Sequence, residues 1–276
     1  MCLKFRCLIF LFVLIKLSAS AQKTDTAGEL IRKIQRGESD SVRFAANAVF
    51  LDILEKTLAD RQSFEINFDS LSNVSVVSDG EKIRILTWVV PHYHGEAYDY
   101  FGFIQLRTDS GQQLIRLDDS TAVIRKPESE KLSPEKWLGA IYYAILPVKK
   151  SRKMYYTLLG WKGVNELTTE KVVEVLHFDK SKARFGFPLF KMGSVFKNRL
   201  LFAFNAQAAM TLRYDRDFRG IVFDRIGVNK NFPGQASGPV GTYDGLRFKR
   251  GRWVLYSDID ARTDRKPAAP VPENKP

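Results

Sequence analysis

From residue 64 onward, apolar side chains return at every second position, in short runs broken by Asp- and Gly-rich reversals. Alternation of this kind puts one set of side chains on each face of an extended ribbon, so it commits the chain to β-sheet. The predicted strands are 64–68, 74–77, 82–90, 98–107, 113–117, 122–125, 137–148, 153–161, 184–189, 199–205, 209–214, 220–225, 245–249 and 252–257. Asp79-Gly80, Asp109-Ser110-Gly111, Asp215-Arg216-Asp217 and Arg250-Gly251 supply turn chemistry that accepts positive φ. The basic cluster Lys149-Lys150-Ser151-Arg152-Lys153 reads as another hairpin tip. Reversals this short join antiparallel neighbours, because a parallel pair needs a crossover of about a dozen residues. Trp88-Val89-Val90, the run 141–146 and the run 200–204 are apolar on both faces. A strand like that must be covered from both sides. A helical turn is expected near Ser133-Pro134, and Thr168-Thr169-Glu170 favours another over the ambiguous stretch 168–176.

Ahead of the strands the period changes. Leu30, Ile31 and Ile34 mark one short helix that Gly37 ends. Val42, Ala45, Ala46, Val49, Phe50, Ile53, Leu54 and Leu58 mark a second, capped by Ser39 or Asp40. The fold class is therefore α+β and predominantly antiparallel β. We expect a large curved or folded meander sheet with N-terminal helices, about 27–61, packed on one side.

The first residues carry Lys4 and Arg6, then an apolar run from Cys7 to Ile15, then Ser18-Ala19-Ser20-Ala21. A basic start, a short apolar core and small residues at the −3 and −1 positions form a secretory signal, with cleavage expected after Ala21. The apolar run is about half the roughly 20 residues that a spanning helix needs. Residues 22–264 are read as one domain, and the Pro-rich stretch 265–276 as a disordered tail. Both cysteines, Cys2 and Cys7, fall within the signal. The mature chain then has no disulfide, thiol chemistry or Cys-ligated metal, and must rely on a conventional core.

The whole chain carries 43 Lys+Arg against 31 Asp+Glu, a net +12. Without Lys4, Arg6 and Lys16 the balance is 40 to 31, or +9. A basic surplus favours acidic partners. Here the cations alternate with acids along the strands, so they read as a solvated surface. No nucleic-acid partner and no membrane span in the mature chain are expected.

Several stretches resemble a family of exported Bacteroidetes proteins. They are Lys82-Ile83-Arg84-Ile85-Leu86-Thr87-Trp88, Tyr100-Phe101-Gly102-Phe103-Ile104-Gln105, and Tyr155-Tyr156-Thr157-Leu158-Leu159-Gly160-Trp161-Lys162-Gly163. Leu212-Arg213-Tyr214-Asp215, Ile221-Val222-Phe223-Asp224, Tyr243-Asp244-Gly245-Leu246 and Gly251-Arg252-Trp253 extend the resemblance over most of the chain. It implies a Gram-negative envelope setting, in the periplasm or at the cell surface. It supplies no catalytic residues. Asp25-Thr26-Ala27, Asp40-Ser41-Val42, Asp69-Ser70-Leu71 and Asp119-Ser120-Thr121 resemble the short O-glycosylation acceptor motif of such proteins.

Candidate chemistry is sparse. His92, His94 and Glu96 would point one way on an extended segment and could ligate Zn²⁺, with His177 as a fourth ligand. Pro91 and Gly95 instead make the segment a loop or hairpin tip. Asp118-Asp119 and Asp258/Asp260 invite a glycosidase reading with paired carboxylates. Adjacent strand residues face opposite ways, which weakens the first pair. There is no Gly-x-Ser-x-Gly elbow, phosphate-cradling loop or dinucleotide fingerprint, so no cofactor is predicted. Trp161, Tyr243 and Asp244 are the ligand-binding candidates, chosen as exposed aromatics beside Gly and Asp. The expected function is a non-enzymatic envelope protein acting as a binding or interaction module, with envelope protein or glycan as partner. The rival is a hydrolase of envelope glycan or polysaccharide.

Overall fold

The computed structural model describes residues 27–80, 82–108, 111–228 and 237–260. The signal and its cleavage point, the tail from 265, Asp109-Ser110 and Asp25-Thr26 lie outside the described residues. Among the described residues two helices precede fifteen strands, and the strands are almost all antiparallel, so the α+β class expected from periodicity holds. Helix α1 covers residues 27–36 and α2 covers Asp40–Ala59.

The strands divide into three sheets stacked as layers beneath the helices. The first sheet runs β1 (Ser75–Asp79), β2 (Ile83–Pro91), β3 (Tyr98–Thr108), β4 (Gly111–Asp118) in spatial order. The middle sheet contains β5 (Ile141–Lys150), β6 (Lys153–Gly163) and β7 (Thr168–Asp179), with β8 (Lys182–Phe185) and β11 (Leu200–Asn205) both paired to β7. The third sheet has β9 (Phe190–Met192), β10 (Val195–Lys197), β12 (Leu212–Asp215), β13 (Gly220–Ile226), β14 (Pro239–Lys249) and β15 (Arg252–Ile259). The one parallel pair among the described strands joins β15 to β9.

Alternation explains the layering. On β2, Ile83 and Ile85 face the middle sheet, while Leu86, Trp88 and Val90 face the helices. On the middle sheet, Leu158, Val172 and Leu176 pack against the first sheet. Leu159, Val173 and Val175 on its opposite face meet Leu189, Ile221, Leu246 and Trp253 of the third. The doubly apolar middle strands are thus covered by sheet on both sides.

The hairpins follow the turn chemistry. Arg250 and Gly251 have φ of 50° and 76°, and Gly80 has 54°. Two further reversals use non-glycine residues in the same region: Ser151-Arg152 at 47° and 66°, and Lys180-Ser181 at 45° and 70°. Positive φ at both central positions matches the twist of the flanking strands.

Several local expectations are corrected. The stretch 168–176 is β7, the centre of the middle sheet, not a helical turn. Its Val172, Val173 and Val175 are β-branched residues that fit a pleated, two-sided environment. Residues 64–68 begin in a 3-10 turn (Arg61–Glu65), and 122–125 overlap another (Thr121–Val123). Helix α2 is rotated from its expected apolar face: Arg43 and Asn47 are buried, while Val42 and Val49 are exposed. Arg43 is buried because its Nε donates to the Gly37 carbonyl (2.9 Å) and its Nη1 to the Pro91 carbonyl (2.9 Å). Asn47 Oδ1 accepts from the Trp88 indole N–H at 2.7 Å. Ser39 caps α2 by accepting from the Val42 N–H.

Candidate functional site

The register of the middle sheet assembles one open, mixed-polarity groove. Tyr155 on β6 lies opposite His177 on β7, and His177 lies opposite Arg184 on β8. Directly opposed residues share a face, so these three form a row across the sheet. Lys153 and Asp179 lie two positions along their strands on the same face. Phe187, just past β8, folds back over the row: its ring is 4.7 Å from that of Tyr155 and 5.3 Å from that of His177. Lys131 joins from the long β4–β5 connection, because Leu132 and Phe185 exchange backbone hydrogen bonds of 2.8 and 2.9 Å. The result is a cavity of about 420 Å³ lined by these side chains.

The third sheet covers this end only in part, its Gly251 turn reaching Lys150. Trp253 sits over the centre of the middle sheet, its indole N–H donating to Thr157 Oγ1 at 2.9 Å. Beyond Tyr155 the strands emerge from under it, leaving Lys153, Asp179 and Arg184 exposed. Among the described residues, the side chains of Lys131, Lys153, Asp179 and Arg184 enter no hydrogen bond or ion pair. Their hydrogen-bonding capacity is directed to solvent.

Charge and tautomer follow from position. Burial lowers the His177 pKa, Asp179 opposes that effect, and Arg184, Lys131 and Lys153 reinforce it. The imidazole is therefore neutral at pH 7, with one donor and one acceptor nitrogen. Burial raises the Tyr155 phenol, which stays protonated. The groove thus offers three cations, one carboxylate and an aromatic floor of buried Tyr155 and half-buried Phe187.

Because His177 has a depressed folded-state pKa, the unfolded chain takes its proton first. Stability from this residue is complete above the unfolded value of 6.5 and declines as pH falls through the lower folded value. His177→Gln should flatten the fall in melting temperature between pH 7.5 and pH 5. An identical slope in both proteins would show that this histidine is not the group responsible.

The sequence-derived candidates fall elsewhere. His92 lies between two carboxylates, with Nδ1 3.4 Å from Asp40 Oδ2 and Nε2 3.2 Å from Asp99 Oδ2. His94 sits against the Tyr93 ring, 4.5 Å between centroids, and Glu96 is exposed. A turn closes here, Gly95 N–H donating to the His92 carbonyl at 2.9 Å with Gly95 at φ 73°. That turn breaks the alternation on which a shared face depended. Among the described residues, no group of three or more His, Cys, Asp or Glu could hold a metal ion. His177, considered as a fourth ligand, belongs to the groove.

Trp161 is half-buried on β6 with its ring edge-on to Tyr98 at 6.0 Å. Tyr243 and Asp244 stand on β14 in the third sheet, so the structure does not unite them with Trp161. Asp244 is held by Arg225, whose Nε and Nη2 reach its two oxygens at 3.1 and 2.5 Å. Asp258 takes the remaining Arg225 nitrogen at 2.8 Å. Asp118 pairs with Arg116 at 3.1 Å, while Asp119 turns inward and accepts from the Tyr100 and Thr121 N–H groups at 3.1 and 2.9 Å.

Two buried ionic clusters escaped the sequence reading. Lys162 Nζ donates to Thr121 Oγ1 and the Gly139 carbonyl, both at 2.9 Å, and lies 4.4 Å from the Tyr100 ring centroid. Burial lowers its pKa, against the pull of Asp119 and Glu170. Glu174 and Arg199 form a fully buried pair at 2.6 Å. Lys162 is held by Thr121 and Gly139, and Arg199 by Glu174, Pro127 and Glu130 with only its Nη2 lacking a partner among the described residues, so both clusters tie sheets and loops together. Neither protein-family models, nor curated proteins, nor solved structures gave a match to this chain.

Proposed function

We propose that this chain is an exported, non-enzymatic binding module of the bacterial envelope that holds a saccharide in the groove around Lys153, His177 and Arg184. Export is supported by the basic start, short apolar run and Ser-Ala-Ser-Ala ending of residues 1–21. The Gram-negative setting is supported by the family resemblance.

The observation that carries the binding reading is the composition of the groove. It is an open concavity of about 420 Å³ with an aromatic floor of Tyr155 and Phe187 and a rim of polar groups. Volumes of roughly 300–1,000 Å³ with a few convergent polar groups are characteristic of small-ligand sites. Its lining includes a single carboxylate, Asp179. Glycoside hydrolysis commonly uses two, about 5–10 Å apart. The groove is equipped to hold a sugar more than to cleave one.

Hydrogen–deuterium exchange of the full chain with solubilised envelope polysaccharide tests this. Exchange should slow in the hairpins at 149–153 and 179–184, which frame the groove. Slowing confined to other segments, or none, would remove the groove from the function.

A further inference from the structure

We propose that the saccharide is acidic, carrying a uronate or sulfate that the groove recognises through Lys131, Lys153 and Arg184. The inference rests on the groove being the binding site. It adds the ligand's charge and the residues that read it.

Three exposed cations surround the groove, and among the described residues Asp179 is the only carboxylate in its lining. Lys150 adds further positive charge at its edge, its Nζ 5.1 Å from the Phe187 ring centroid. On most of the surface cations alternate with acids, as on β15's neighbourhood, where Arg225 bonds both Asp244 and Asp258. In the groove no such ion pair forms among the described residues, and Arg184 feels an acid only at longer range, from Glu135. An anionic ligand would complete the cations with charge-assisted hydrogen bonds, the stronger kind.

The remaining groups select the rest of the ligand. Asp179 only accepts hydrogen bonds, and neutral His177 has one acceptor nitrogen. A phosphodiester backbone offers acceptors alone. A sugar offers hydroxyl donors to both residues. The aromatic floor is tilted, Tyr155 and Phe187 meeting at 50°, and does not present a run of parallel platforms for successive bases. The groove therefore favours an anionic sugar over a nucleic acid.

The test is an array of oligosaccharides in matched pairs, each acidic member beside a neutral one of the same linkage, probed with the full chain. Acidic members should bind at least about tenfold more tightly than their partners, the effect of one charge-assisted contact. The preference should collapse in Lys153→Ala and Arg184→Ala, which are exposed positions whose replacement leaves the core intact, and should weaken with added salt. Equal binding of neutral and acidic members would overturn the acidic assignment and leave the groove reading standing. Binding of no saccharide, or preference for a single-stranded oligonucleotide placed on the same array, would overturn both.

Discussion

Arg199→Met should lower the folding free energy by about 3–5 kcal/mol, the cost of orphaning one member of a buried ion pair. The Arg199 and Glu174 side chains are both 0% exposed, with Nε 2.6 Å from Oε2. Arg199 Nη1 also donates to the carbonyls of Pro127 and Glu130, so the guanidinium ties β7 to the long β4–β5 connection. Burial pushes the Glu174 carboxyl above its ordinary value, against the pull of Arg199. Without Arg199 the upward push of burial is opposed only by the Val175 and Gly186 N–H groups, so the carboxyl rises further. A raised folded-state pKa gives stability that is fully present below the unfolded value and lost as pH rises through the folded one. The deficit of Arg199→Met in urea denaturation should therefore shrink toward acid. Replacing Glu174 by Met in the same protein should recover much of the loss, since apolar groups of similar volume need no partner. A single variant within about 1 kcal/mol of the parent would mean the pair is far better hydrated than its burial implies.

Arg84→Met should cost a comparable amount, about 3–5 kcal/mol, by leaving several buried acceptors unsatisfied. Arg84 sits on the helix-facing side of β2, and among the described residues no carboxylate pairs with it. Its nitrogens donate to the carbonyls of Ser63 (2.6 Å), Ile66 (3.0 Å) and Phe64 (3.3 Å). They also donate to Gln105 Oε1 at 2.8 and 2.5 Å. The rings of Phe64 and Phe68 lie 5.2 and 5.0 Å from its guanidinium carbon. Burial lowers its pKa to about 10, still well above neutrality, so carbonyl dipoles and aromatic faces hold a full charge. The loss should appear in the urea midpoint, with the earliest exchange at 61–66, the turn that Arg84 anchors to the first sheet. Unchanged exchange there would show that the turn is held by its own packing.

These two residues show where reading the chain stopped. Arg84 and Glu174 occupy polar positions within apolar strands, and periodicity alone assigns such residues to no particular partner. Their partners lie at Ser63 and Gln105 in one case and at Arg199 in the other, which the topology alone brings near. Stretch 168–176 was misread for a related reason. A Thr-Thr-Glu start is compatible with a helix cap, and only pairing with β6, β8 and β11 makes it the central strand of a sheet. The signal that would have found it is the valine content of 172–175. The metal candidate failed because residue spacing defines a shared face only while the backbone stays extended.

The groove was illegible for a deeper reason. Tyr155, His177 and Arg184 are joined by register alone, and a register is a relation between strands. Had His177 been placed opposite a different β6 residue, the row would not exist. Once β7 is recognised as a strand with a tight Lys180-Ser181 reversal, the meeting of His177 with Arg184 follows from counting. The meeting with Tyr155 and Phe187 does not.

By itself the sequence determined the class of this protein: alternating apolar positions and positive-φ reversals can only be satisfied by antiparallel ribbons, and helical spacing ahead of them puts two helices on one side. Those are local constraints, expressed within a few residues. The tertiary structure decided that the ribbons divide into three stacked sheets, that the third covers one end of the middle one only in part, and that three cations gather there around Asp179. Coverage and charge balance are set by elements far apart in the chain, because burial is a property of surfaces that meet and not of residues that follow one another.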